Sequence, residues 1–331
     1  MINLNDVCKK LASIMAPSGF ERPRGDIVKS LISAYVDETF YDAFGNLIAV
    51  KHGKGRRIMI CVRLDAVGLM AKCIDQRGYV RVLPLGKLTA CRLVGSRVRF
   101  EGGVEGILLP DDEKKGWDDL LVSDLVVDVG SPDIATRVKA GTPAVFSEEI
   151  IIQNNVIIGP SCGAIATCAA LIAAAEQLAN SDCGVDFVFA VQGEAEQRGV
   201  KAATFSLAPE CGIAVDVSEA IGAESYGIPG MVSLNAGPAI KIRDQAAIYC
   251  REVVDLLDNS AKGAGIICQY EVIGHDEEET TAATHLLNCG AVTGGIGIPV
   301  RYRLTANEMV SLGDVEQAAI LLVEALRQYG A

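Results

Sequence analysis

Three apolar runs constrain the fold more than any other feature: Ile58-Met59-Ile60-Cys61-Val62, Val185-Asp186-Phe187-Val188-Phe189-Ala190-Val191 and Gly212-Ile213-Ala214-Val215. Each has strand length and is apolar at successive rather than alternate positions. That is the pattern of a strand buried on both faces. Helical periodicity lies between them, at 164–178 and 198–206. Such strands need helices over both faces, which predicts an α/β fold with a mixed sheet between helix layers. The runs lead into charged residues: Arg63-Leu64-Asp65, Gly193-Glu194 and Asp216. Carboxylates gathered at strand ends in such a fold commonly hold a divalent cation or do acid/base work.

The rest of the chain divides by texture. Helices are predicted at 4–15 and 21–34, strands at 36–41 and 47–51 about a turn at 42–46, and a strand at 57–62. From 69 to 158 short β-like runs (69–74, 79–83, 97–100, 107–109, 125–129) alternate with Gly, Pro and Asp turns. Helical periodicity there is confined to 134–139. This reads as a small β-rich domain, 69–158, inserted into an α/β domain formed by 1–68 and 159–331. Helices at 246–258, 281–288 and 314–328 and strands at 266–272 and 294–301 complete the larger domain.

The formal charge of −12 argues against nucleic acid and anionic membrane surfaces as partners. Eleven cysteines, an odd number with no C-x-x-C pair, read as reduced, buried side chains, which predicts a cytoplasmic protein. Residues 1–9 are polar and amphipathic, unlike a signal peptide, and the apolar stretch 168–175 is too short to span a bilayer. Only three histidines occur, His52, His275 and His285, few for a histidine-rich metal centre.

Several segments match a known pattern in order along the chain. They include Ala16-Pro17-Ser18-Gly19-Phe20-Glu21, Asp42-Ala43-Phe44-Gly45-Asn46, Leu64-Asp65-Ala66-Val67-Gly68 and Gly141-Thr142-Pro143-Ala144-Val145-Phe146. Further on come Val191-Gln192, Ala214-Val215-Asp216-Val217, Gly237-Pro238-Ala239-Ile240-Lys241, Ile298-Pro299-Val300-Arg301-Tyr302 and Glu308-Met309-Val310. The chain resembles the tetrahedral, or glutamyl/leucyl, aminopeptidases, dinuclear metallopeptidases with an inserted dimerisation domain. The resemblance implies a zinc-peptidase-like α/β fold, assembly into homo-oligomers through the insert, and a site for two divalent cations such as zinc or cobalt.

It also implies that the site has changed. The family's first ligand, a His, falls on Arg63, with Asp65 kept two residues on. The bridging Asp falls on Gly163 and the general base on Gly193. Ligands are kept at Glu194 and Asp216, and the last His falls on Leu304. Glycine can neither bridge two cations nor deprotonate water, and a guanidinium repels cations. No catalytic residue and no cofactor are therefore expected, and Arg63 is expected to pair with Glu194, Asp216 or both. The pocket candidates are Arg63, Asp65, Glu194, Asp216 and His285.

Three functions stay open on the sequence. One is a non-catalytic binding or assembly subunit, alone or with a paralogous aminopeptidase, holding a peptide or small anion. A second is an active aminopeptidase rebuilt on Glu194 and Asp216. The third is a metal-free anion-binding activity centred on Arg63. Glu196 reads as a solvated loop residue rather than a replacement carboxylate, and Cys162 as an inert thiol. Asp65 reads as a backbone acceptor, His285 as a packed histidine, and His275 and the 277–279 acidic run as solvated.

Overall fold

A computed structural model describes residues 2–111, 116–147, 149–223, 231–244, 247–273 and 290–329. Its strands are β1 (Glu38–Tyr41), β2 (Leu47–Lys51), β3 (Lys54–Arg63), β4 (Gly68–Ile74), β5 (Val80–Leu85), β6 (Arg97–Phe100), β7 (Glu105–Pro110), β8 (Leu125–Asp128) and β9 (Pro143–Phe146). They continue as β10 (Ile151–Gln153), β11 (Val156–Gly159), β12 (Cys183–Ala190), β13 (Cys211–Glu219), β14 (Ala239–Arg243), β15 (Gln269–Val272), β16 (Val292–Arg301) and β17 (Glu308–Ser311). The helices are α1 (Leu4–Ala12), α2 (Arg22–Ile32), the single turn α3 (Pro132–Ala135), α4 (Cys162–Leu178), α5 (Arg198–Leu207), α6 (Arg251–Ala264) and α7 (Leu312–Tyr329).

Among the described residues eleven strands form one sheet. Nine run in the order β1-β2-β12-β3-β13-β16-β17-β11-β10; β14 pairs with β16 off this path, and β15 pairs with β14. The centre, β12-β3-β13-β16, is parallel, and the flanks are antiparallel. Side-chain alternation along β3 explains its unbroken apolar run. Ile58, Ile60 and Val62 enter the main core with residues of α1, α2, α4, α6 and α7. Met59 and Cys61 point the other way, into a cluster with Val200, Ala203 and Leu207 of α5. Each face is buried, so neither face of the strand has to be polar. Helix α4 sits at the middle of the main layer. Its Ala-rich composition leaves little side chain between it and the sheet, and almost every residue is buried.

The insert is a closed antiparallel barrel in the order β4-β5-β8-β7-β6-β9, filled by Leu69, Val82, Val98, Phe100, Leu108 and Val127 among others. Strand β9 closes it by pairing with both β4 and β6. The β-rich insert predicted for 69–158 ends earlier as a structural unit. Strands β10 and β11 form a hairpin about Asn154 and Asn155, both at positive φ, and β11 joins the large sheet against β17. Ile157 accordingly packs in the main core.

Two helices differ from expectation. The pattern at 134–139 yields only the turn α3. The helix expected from 246 begins at Arg251, because Asp244 accepts bonds from Ala247 N and Tyr249 Oη and holds that stretch as a loop. The helix expected at 281–288 lies outside the described residues. Among those described, no helix is long and apolar enough to cross a membrane.

Candidate functional site

The parallel register fixes the site. Ala190 of β12 lies opposite Arg63, and Ala214 of β13 opposite Cys61, which brings Asp216 level with Arg63. All three strands deliver their carboxyl ends to one edge, the usual place for a site in an α/β sheet. There the Arg63 guanidinium lies between two carboxylates. Its Nη1 donates to Glu194 Oε1 in a short contact. Its Nε and Nη2 donate to Asp216 Oδ1 at 3.2 and 3.0 Å. The three side chains are 11%, 10% and 5% exposed, so solvent screens this cluster little.

Asp65 does not face this guanidinium with a hydrogen bond. Its two oxygens accept the amides of Gly193 and Glu194 at 2.9 and 2.8 Å and so hold the loop after β12. Burial, then the neighbouring Glu194 charge, pushes its carboxyl up to about 6, against the pull of Arg63. The Arg63 stem fills the space beside Gly193. A Cβ there would lie 2.5 Å from Arg63 Cδ and 2.7 Å from Asp65 Oδ1.

Gly163, in the first turn of α4, is closed off in a similar way. A Cβ would lie 2.7 Å from Val217 Cγ1. Its amide donates to Glu308 Oε2 at 2.8 Å, and Leu304 N donates to Glu308 Oε1 at 3.2 Å. Burial raises the Glu308 carboxyl, and the two amides oppose the shift. Leu304 turns its side chain onto the barrel core, beside Ala306. Between Arg63, Glu194, Gly163, Val217, Leu304 and Glu308 remains a cavity of about 20 Å³, room for one or two waters. Ser161, Gln192, Glu196, Gln197, Tyr302 and Leu304 all adopt positive φ around this site. Backbone strain of that kind gathers at functional sites.

A model of the M42 glutamyl aminopeptidases matches residues 45–321. The chain belongs to that family. A candidate aminopeptidase of Acetivibrio thermocellus is 34% identical over 97% of this chain and 98% of its own length. The lysyl aminopeptidase of Pyrococcus furiosus is 28% identical over 97% and 96%. Among solved structures, an aminopeptidase of Desulfurococcus kamchatkensis superposes with a TM-score of 0.90 at 27% identity, covering 98% of this chain and 94% of that one. The Pyrococcus horikoshii TET1 peptidase, which assembles into a tetrahedron or a large octahedral shell, superposes at 0.84 with 26% identity over 97% and 98%. The M42 fold, an α/β domain carrying a small β-barrel, is the fold described above.

Of the sequence-predicted residues, Arg63, Asp65, Glu194 and Asp216 come together, Gly163 and Leu304 line the cavity beside them, and Gly193 lies against the Arg63 stem. His285, His275 and the 277–279 run lie outside the described residues. Glu196 is exposed, 3.9 Å from Arg198. Cys162 is buried, which raises its thiol well above the ordinary value and leaves it protonated. Sequence reasoning missed Glu308, the acceptor that ties Gly163 to Leu304. The signal was an acidic residue four positions beyond Leu304 and heading a short strand.

Proposed function

We propose that this M42 protein is a non-hydrolytic member of its family, acting as a binding or assembly subunit. The observation that carries the proposal is the guanidinium of Arg63 set between Glu194 and Asp216. A cation would have to enter against a fixed positive charge while the remaining ligand positions hold Gly163 and Leu304. The side chains present do not fit a bridged pair of divalent cations. Without a carboxylate at position 193, no side chain there takes a proton from water.

The same geometry speaks against the two other readings. A site rebuilt on Glu194 and Asp216 must first lose their shared partner. An anion at Arg63 must displace two buried carboxylates from it. Self-assembly through the barrel, after the shells of the TET1 relative, is the associated proposal. A paralogous aminopeptidase as co-assembling subunit, or a bound peptide, fits the same role, in a cytoplasmic setting.

The test is metal analysis with peptidase assay. The purified chain, incubated with zinc or cobalt and desalted, is expected to retain neither in stoichiometric amount. It is also expected to release no amine from lysyl, glutamyl or leucyl anilides. Stoichiometric metal together with turnover would overturn the proposal.

A further inference from the structure

A second charged cavity lies beside the first, separated from it by Ala66 and Ser161, which line both. It measures about 40 Å³, space for roughly three waters, and is bounded by Ile14, Met15, Arg24, Arg99, Phe146 and Ser161. Arg24 is 3% exposed. Its two Nη atoms donate to the carbonyls of Leu64 and Ile14 at 3.1 and 3.2 Å, and its buried Nε has no hydrogen-bond partner. The nearest acids do not pair with it. Asp65 is committed to the amides of Gly193 and Glu194, and Glu21 Oε1 to those of Gly19 and Gln192.

A guanidinium removed from water without an ion-pair partner is costly, and neutral carbonyls offset that cost only in part. Arg99, reaching in from the barrel, makes no side-chain hydrogen bond or ion pair among the described residues. The N-terminus of the 17-residue α4 opens on the same space at Ser161, which supplies no side-chain cap. Its aligned amides favour negative charge there. The first turn of α4 already holds the Glu308 carboxylate on the Gly163 amide; the two arginines and the unused buried Nε are the groups that ask for an anion.

We infer that this cavity is a binding site for one small inorganic anion, a halide or a compact oxyanion. The anion would bridge Arg24 and Arg99 and so link the N-terminal segment to the barrel. The inference is independent of the Arg63 cluster and is tested apart from it.

The full chain is titrated at constant ionic strength with sodium bromide or sodium phosphate against sodium gluconate, whose anion is too large for the cavity. Thermal unfolding is followed throughout. Saturable stabilisation by bromide or phosphate alone is expected. Arg99→Ala should fold normally and weaken the apparent affinity about tenfold or more. Arg24→Lys, which keeps the charge and removes Nε, should also weaken it. Bromide-soaked crystals should show an anomalous peak beside Arg24 Nε. Equal stabilisation by gluconate, an unchanged response in Arg99→Ala, or no peak in that cavity would overturn the inference.

Discussion

Arg63 donates to a single oxygen of Asp216 from both Nε and Nη2, and Val217 N donates to that same oxygen at 2.8 Å. Three donors on one carboxylate oxygen leave its charge well compensated without any cation. The remaining arm of the guanidinium serves Glu194. One side chain thus pairs with two adjacent buried carboxylates and offsets half of their charge.

Arg63→Met should therefore be destabilising by about 3–5 kcal/mol at neutral pH, since it leaves two buried carboxylates unpaired. Arg63→Lys, which keeps a positive charge beside the two carboxylates, should cost less than Arg63→Met. Denaturant unfolding of both variants measures this. Equal deficits in the two would contradict the account.

Rebuilding the family's site should need five changes rather than four. Arg63→His, Gly163→Asp, Gly193→Glu and Leu304→His restore the ligand and base types. Arg63→His also removes the Cδ nearest a Cβ at 193, which leaves Asp65 Oδ1 at 2.7 Å to shift. The Cβ at 163 still meets Val217 Cγ1. Adding Val217→Ala should raise zinc retained after desalting to stoichiometric levels, whereas the fourfold variant retains much less. Elemental analysis of both proteins decides it.

Asp65 should tilt the pH dependence of stability against the usual direction for a carboxylate. Its folded value, about 6, lies above the ordinary 3.8, so the folded chain binds the extra proton. Its contribution is fully present below about pH 4 and is lost as the pH rises through 6. The span is roughly 3 kcal/mol at most. Asp65→Ala removes the two loop anchors and lowers stability overall. The difference between its profile and that of the parent should nevertheless carry this slope between pH 4 and 6.

Ala208→Gly should stabilise the protein by up to about 1 kcal/mol. Ala208 closes α5 in the left-handed region, at φ 47 and ψ 56, on the surface. Glycine adopts that conformation without the Cβ clash. A higher thermal midpoint with unchanged spectra is the expected result.

The buried strands β3, β12 and β13 were legible because uninterrupted apolar runs of that length have few other solutions. The Arg63 pairing followed from the family resemblance, which set Arg63, Glu194 and Asp216 at ligand positions of one site, and from the charge those three residues carry. The β10–β11 hairpin was assigned to the insert because its partner, β17, lies about 150 residues downstream, and nothing local names it. Val217 against Gly163, and Arg24 behind Leu64, were equally hidden. Both depend on which elements the fold stacks together. Residue type and spacing report such contacts only after the topology is known.

Ala306 is buried in the barrel's hydrophobic cluster, and Leu304, partly buried, packs against that cluster while lining the cavity of the α/β domain. The free energy of burying them is shared between two bodies that could otherwise melt apart. Heating should consequently reveal one cooperative transition, the smaller body giving way only with the larger. A polar residue at 304 would act as a seam along which the two come unstitched.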